Sequence, residues 1–142
     1  MNKFLDFDFE NDTEKNVECI IDELSKDIED KTDGILTLES KTSNFKKDFS
    51  TYEYDMYISI YIIAPKLDNY KYSLFVVYTN LDENFPIGFL PIMNDIGKML
   101  EYDINEDYEK YGDYDEFEKN IKEFINSTEV KNVLKNLYRK ST

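Results

Sequence analysis

The 142-residue sequence contains no histidine, no tryptophan and a single cysteine, together with only four glycines and three prolines. The absence of histidine removes the commonest general base, the commonest metal ligand and every serine–histidine or cysteine–histidine nucleophile pair. One cysteine, Cys19, can form neither an intrachain disulfide nor a thiolate metal site. Because Cys19 lies beside an apolar helical stripe, we interpret it as a packing residue.

The loops that usually bind phosphate or metal are missing as well. The four glycines are isolated from one another, so there is no glycine-rich phosphate loop, and no Gly-x-Ser-x-Gly elbow is present. Residues 103–109 begin with the spacing of a calcium loop, but Tyr108 and Tyr114 occupy the positions that need Gly and a bidentate Glu. We therefore predict no cofactor, no metal site and no catalytic residue.

The chain has no apolar run that could act as a signal peptide at its start or as a membrane-spanning helix. Together with the lone cysteine, this predicts a cytoplasmic protein.

Acidic residues outnumber basic ones by 31 to 17, which gives a formal net charge of −14. Such a charge disfavours direct contact with nucleic acid or an anionic membrane, because phosphate contacts need Lys or Arg. A basic protein is the favoured partner, although solubility alone would also explain the charge.

The hydrophobic pattern predicts one α+β domain over residues 1–142, with an N-terminal helix, an antiparallel β-meander of four to five strands and two C-terminal helices in two layers. Apolar residues from Val17 to Ile28 recur at helical spacing. Asp12 or Thr13 is predicted to cap this helix and Gly34 to end it.

Alternating apolar residues predict the strands of the meander. The predicted strands cover residues 35–42, 51–63, 70–79 and 85–92. Pro86 and Pro91 lack amide donors, so the last of these strands is predicted to be brief or at an edge. Residues 96–104 are ambiguous between a strand and a helical turn. Residues 4–10 alternate apolar and acidic side chains, which predicts a short edge strand or an arm docked on the core.

Capping signals and apolar stripes predict the two C-terminal helices. Asp113 and Glu116 resemble a capping box before an apolar stripe that starts at Phe117. Ser127 can cap the last helix, which carries four bases and no acid after Glu129. We interpret these bases as a favourable match to the helix dipole.

The segment 101–118 combines nine acids with one base, a net charge of 1 − 9 = −8, and it interleaves four tyrosines. Tyrosines supply rigid contact area at binding hot spots, and carboxylates steer a basic partner. The array could also imitate the spaced phosphates of a nucleic acid. The alternative is a solvated loop beside a favourably charged helix N-terminus. The predicted partner-binding residues are Glu101, Tyr102, Asp103, Glu106, Asp107, Tyr108, Glu109, Tyr111, Asp113 and Tyr114.

The closing segment, with YDEF at 114–117, FINSTEV at 124–130 and then Leu137, looks like the C-terminal helices of small bacterial proteins that often travel on mobile elements. The whole layout is similar to small acidic immunity and anti-defence proteins of bacteria and phages. The resemblance is one of architecture and charge over most of the chain, and it transfers no residue roles. It implies a protein that covers the basic site of a toxin or nuclease.

The leading hypothesis is a non-enzymatic inhibitor of a basic, nucleic-acid-handling protein such as a nuclease, toxin or defence effector. The first alternative is an acidic secretion-type chaperone or adaptor that holds a peptide along a sheet edge and forms a dimer. The second is a carboxylate- and metal-dependent enzyme with three or more acids in one pocket. The sequence leaves open the oligomeric state, a dimer included, and whether the sheet is covered on one or both faces.

Overall fold

The computed structural model describes residues 4–9, 14–44, 54–95 and 108–142. Within these ranges it confirms the predicted α+β arrangement of an N-terminal helix, an antiparallel sheet and two C-terminal helices. The strands form one sheet in the order β1-β2-β3-β4-β5. The elements are α1 (Val17–Lys31), β1 (Thr37–Asn44), β2 (Met56–Ala64), β3 (Tyr70–Asn80), β4 (Glu83–Pro91), β5 (Glu109–Tyr111), α2 (Tyr114–Ile125) and α3 (Thr128–Lys140).

Local hydrogen bonds explain where α1 begins and ends. The side chain of Asn16 accepts from the backbone N–H of Cys19 at 3.1 Å, which satisfies one of the free donors of the first turn. The predicted caps, Asp12 and Thr13, lie outside the described residues, and Asn16 holds the cap position. At the other end Gly34 has a φ of +77° and donates to Glu29 O at 2.9 Å, which confirms the predicted stop.

The main core lies between one face of the sheet and the helices. Met56, Ile58, Ile60 and Ile62 alternate along β2 and are all buried in this core. The buried stripe of α1 joins the same cluster, as do the buried residues of α2 and Val130 of α3. The helices therefore form the second layer on this face, as the pattern predicts.

A second buried cluster lies on the opposite face of the sheet. It combines Val76 and Tyr78 of β3 with Leu90 of β4 and Ile92, and Tyr54 and Tyr108 complete it. Tyr54 does not share a face with the alternating residues of β2 from Met56 to Ile62. Tyr54 precedes β2, which begins at Met56, so the alternation of the strand does not extend to it.

The proline-containing strand β4 is longer and more central than the sequence predicts. It has nine residues and lies between β3 and β5, so it is neither brief nor at the edge of the sheet. β5 pairs only with residues Ile87 to Phe89 of β4. Pro86 and Pro91 fall outside that pairing, which is why their missing amide donors do not disrupt it.

The described part of the N-terminal segment, residues 4–9, is neither a strand nor docked on the core. Its apolar side chains are exposed, which corrects both readings of its alternating pattern. Residues 96–104, whose pattern was ambiguous, lie outside the described residues. No helix in the described ranges is long and apolar enough to cross a membrane.

The two C-terminal helices begin at the predicted caps. Asp113 accepts from the N–H of Glu116 at 2.9 Å, and the Glu116 carboxylate accepts from the N–H of Gly112 at 3.1 Å. The Ser127 hydroxyl accepts from the N–H of Val130 at 3.4 Å. These caps set the short turn from α2 into α3, which begins two residues after Asn126.

Candidate protein-binding surface

The structure describes half of the predicted partner-binding residues. Five of them lie outside the described residues, namely Glu101, Tyr102, Asp103, Glu106 and Asp107. The other five lie at the β5–α2 corner, namely Tyr108, Glu109, Tyr111, Asp113 and Tyr114.

The ring of Tyr108 belongs to the second core. Its side chain is only 8% exposed, and its ring centroid lies 5.6 Å from the ring centroids of both Tyr54 and Tyr78. The ring also lies directly over Gly88 of β4. Tyr108 therefore anchors the start of β5, and its burial leaves little of it for a partner to contact.

The carboxylates at this corner have different structural roles. Asp113 is exposed, but its carboxylate accepts the capping bond of α2. Glu109 is exposed on β5 and accepts a hydrogen bond from the hydroxyl of Tyr111. A cap stabilises its helix by about 1 kcal/mol, so Asp113 contributes mainly to holding the corner in shape.

Tyr111 is half-buried, with its ring against that of Phe117 at a centroid distance of 6.1 Å. Burial raises the pKa of its hydroxyl, and the hydrogen bond to Glu109 raises it further. The charges of Glu109, Glu123 and Glu116 act in the same direction. Tyr111 is therefore a neutral phenol whose hydroxyl donates to the carboxylate of Glu109 and lies in the field of two further carboxylates.

Tyr114, the first residue of α2, lies where that helix meets α1. Burial raises the pKa of its hydroxyl to about 12, with further contributions from the charge of Glu118, a hydrogen bond to Glu118 and the charge of Glu23. The Nζ atom of Lys15 lies 5.3 Å from the ring centroid. Tyr114 thus lies in the field of one carboxylate of α1 and one of α2.

We call this arrangement the acidic tyrosine surface. It consists of two groups of side chains on different faces of α2, Tyr111 with Glu109, Glu116 and Glu123, and Tyr114 with Glu23 and Glu118. Sequence reasoning missed Glu23 and Glu123 as members, and it included Glu116 and Glu118 only as acids of the segment 101–118. Glu123 follows Glu116 by seven residues and so shares its helical face, a signal that the sequence does contain. Glu23 is distant in sequence, and only the packing of α1 against α2 reveals it.

The ion pair described at this surface is a weak one. Lys122 lies 3.4 Å from Glu118, but it is an exposed i,i+4 partner, and such pairs contribute about 0.5 kcal/mol or less. Neutral phenols and ionised carboxylates together form a set of hydrogen-bond acceptors that suits Lys and Arg side chains. Among the described residues, no group of three or more His, Cys, Asp or Glu side chains is placed to hold a metal ion.

The raised pKa of Tyr114 predicts a loss of stability at alkaline pH. In the unfolded chain the phenol ionises near its ordinary value of 10, whereas in the folded protein it holds its proton to about 12. The folded state therefore binds the proton more tightly, and stability should fall as the pH rises from 10 to 12. Urea unfolding at several pH values in this range should show that the free energy of unfolding falls less steeply for Tyr114→Phe than for the wild type. An equally steep fall in Tyr114→Phe and wild type would contradict this assignment.

A second surface feature is a groove of about 590 Å³ at the other end of the helical layer. It lies between the C-terminal half of α1, the turn after α1 and one face of α3. Its lining residues are Leu24, Asp27, Ile28, Lys31, Thr32, Leu36, Ile125, Asn126, Lys131, Leu134, Lys135 and Tyr138. We call it the α1–α3 groove. Two of the bases that we interpreted through the helix dipole, Lys131 and Lys135, lie on its rim.

Comparison with known proteins finds no match to this chain among protein-family models, curated proteins or solved structures. The resemblance to immunity and anti-defence proteins therefore stays a prediction from architecture and charge.

Proposed function

We propose that this protein is a non-enzymatic inhibitor that binds a basic, nucleic-acid-handling protein through the acidic tyrosine surface. The observation that supports this most strongly is that both Tyr111 and Tyr114 lie in the field of several carboxylates, from β5 and α2 for Tyr111 and from α1 and α2 for Tyr114. The partner would present Lys and Arg side chains in a groove that normally holds nucleic acid phosphates.

The tyrosines suit this role because they are already ordered. Both rings are half-buried against the helical layer, and the hydroxyl of Tyr111 donates a hydrogen bond to the carboxylate of Glu109. Binding therefore immobilises few additional rotamers, which reduces the entropic cost of association. Tyrosine is also enriched among the residues that dominate binding energy.

The carboxylates supply charge where the partner would otherwise contact phosphates. The net charge of −14 adds a long-range field that accelerates encounter with a basic protein. Because such steering is screened by salt, the association should slow as the ionic strength rises. An inhibitor of this kind needs no catalytic group, since occupying the partner's basic groove excludes its substrate.

The test compares three tagged versions of the full chain as baits in extracts of the native host. The first is wild type, and the second reverses the four non-capping carboxylates of the surface to Lys at Glu23, Glu109, Glu118 and Glu123. We expect a nuclease or another nucleic-acid-binding protein to be retained by wild type, released by salt and lost from the reversed bait. The purified partner should then lose activity when wild-type protein is added, and it should keep activity with the reversed variant.

The third bait is a matched control that changes the net charge by the same amount at exposed positions elsewhere. It reverses Glu29, Asp82, Glu83 and Asp95 to Lys. We expect this bait to retain the partner, because only the position of the charges differs. If the two reversed baits lose the partner equally, general charge rather than this surface mediates binding. If neither loses it, the acidic tyrosine surface is not the interface.

A further inference from the structure

The described part of the N-terminal segment, residues 4–9, exposes large apolar side chains at four of its six positions. Phe4 is 84% exposed, Phe7 61% and Phe9 76%, and Leu5 is 47% exposed. Asp6 and Asp8 alternate with them. We call this segment the arm. Covering exposed apolar side chains such as these is favourable, by about 25 cal/mol per Å² of apolar surface removed from water.

The α1–α3 groove has the complementary chemistry. Its floor is apolar, with side chains such as Leu24, Ile28 and Leu134, and its charged rim consists of Lys31, Lys131, Lys135 and Asp27. Three bases against one acid make the rim locally positive, at 3 − 1 = +2, on a chain whose net charge is −14. An acidic, aromatic peptide matches both the floor and the rim.

Within one chain the arm and the groove do not meet, because no residue of the arm lines the groove. The groove is also separate from the acidic tyrosine surface. Tyr114 is the first residue of α2 and Ile125, a groove residue, is the last, which places them about 16 Å apart along the helix. The groove thus lies outside the surface assigned to the proposed inhibition.

We propose that the arm of one chain docks in the α1–α3 groove of a second copy, and that the exchange is reciprocal. In an extended arm Leu5, Phe7 and Phe9 share one face and enter the groove. Asp6 and Asp8 then point away from the floor and reach the lysines of the rim. Because each copy offers one arm and one groove, two copies close on each other with twofold symmetry and leave no unpaired site.

The length of the arm agrees with the length of the groove. The groove follows α1 from Leu24 to Lys31 and α3 from Lys131 to Tyr138, about 10 Å along each helix. The extended segment from Leu5 to Phe9 spans four steps of about 3.3 Å, or about 13 Å. The apolar side chains of the arm therefore cover the length of the groove.

The experiment measures the dimer dissociation constant of the full chain by sedimentation at increasing concentration. Two variants each reverse the charges on one side of the proposed contact. The arm variant is Asp6→Lys/Asp8→Lys, and the rim variant is Lys131→Glu/Lys135→Glu. All four side chains are exposed, so the fold should survive, which circular dichroism checks. We expect each variant to weaken dimerisation at least about tenfold, because like charges then face each other.

Combining the two variants in one chain should restore the dimer, since the charges are then exchanged rather than lost. Two matched controls change the net charge by the same amount at exposed sites outside the contact. They are Lys41→Glu/Lys66→Glu for the rim variant and Asp82→Lys/Glu83→Lys for the arm variant. Both controls should dimerise like wild type. A synthetic peptide of residues 4–9 should bind the arm variant and fail to bind the chain that carries both charge variants.

Three results would overturn the proposal. The first is a wild-type chain that stays monomeric at every concentration, which would include the case of an arm that occupies its own groove. The second is a combined variant that remains as weak as the single ones. The third is a control pair that weakens the dimer as much as the rim pair does.

Discussion

Replacing Phe117 with Ala should lower the free energy of unfolding by about 3 to 5 kcal/mol, the range for removing a fully buried aromatic side chain. Phe117 is 0% exposed, and its ring lies 6.4 Å from that of Phe89 on the sheet and 6.1 Å from that of Tyr111. The substitution leaves a cavity where α2 rests on the sheet. Urea unfolding followed by circular dichroism measures the loss.

Leu81→Ala serves as the control for this substitution, because Leu81 is 66% exposed in the β3–β4 turn. We expect it to change stability by less than about 0.5 kcal/mol. The Phe117 variant should also bind the proposed partner less well, since α2 carries Tyr114, Glu118 and Glu123. A loss below about 1 kcal/mol for Phe117→Ala would contradict the packing of α2 on the sheet.

Gly88→Ala should destabilise the protein by about 1 to 3 kcal/mol, although the substitution adds only one methyl group. A Cβ atom at this position would lie 2.7 Å from Cδ2 and 3.1 Å from Cε2 of Tyr108, whose ring lies over the strand. Such a distance forces the ring to move. Because Tyr108 is held between Tyr54 and Tyr78, the movement disturbs the whole second core.

A double-mutant cycle with Tyr108→Ala isolates this contact. Once the ring is gone, Gly88→Ala should be neutral or stabilising by about 0.5 to 1 kcal/mol, because alanine costs less chain entropy than glycine in a strand. Gly112→Ala is the matched control, since its Cβ would meet nothing closer than 3.9 Å. Equal costs for Gly88→Ala in both backgrounds would show that the ring and the glycine do not interact.

Features set by neighbouring residues were predicted well from the sequence. The stripe from Val17 to Ile28, the cap at Asp113, the cap at Ser127 and the stop at Gly34 all depend on contacts within a few residues. The meander followed from alternation and from short connections. In contrast, Asn16 was overlooked as the cap of α1, because several polar residues precede the apolar stripe and each can cap a helix.

The candidate site could be predicted only in part, because it depends on contacts between distant segments. The tyrosines of 101–118 were predicted to bind a partner because of the composition of the segment. Composition does not distinguish an exposed ring from a buried one. Tyr108 turned out to be a core residue, whereas Tyr111 and Tyr114 lie half-exposed among carboxylates. Glu23 joined them through helix packing that no local pattern encodes.

The sequence by itself determined the chemistry available to this protein. The lack of histidine, the net charge of −14 and the periodicity of its apolar residues follow from composition and local order, and they indicate a small acidic α+β domain. Only the tertiary structure decided which charges and rings share a surface. The physical reason is that the pKa of Tyr114, the requirement for glycine at position 88 and the cationic rim of the α1–α3 groove each arise where segments far apart in sequence meet.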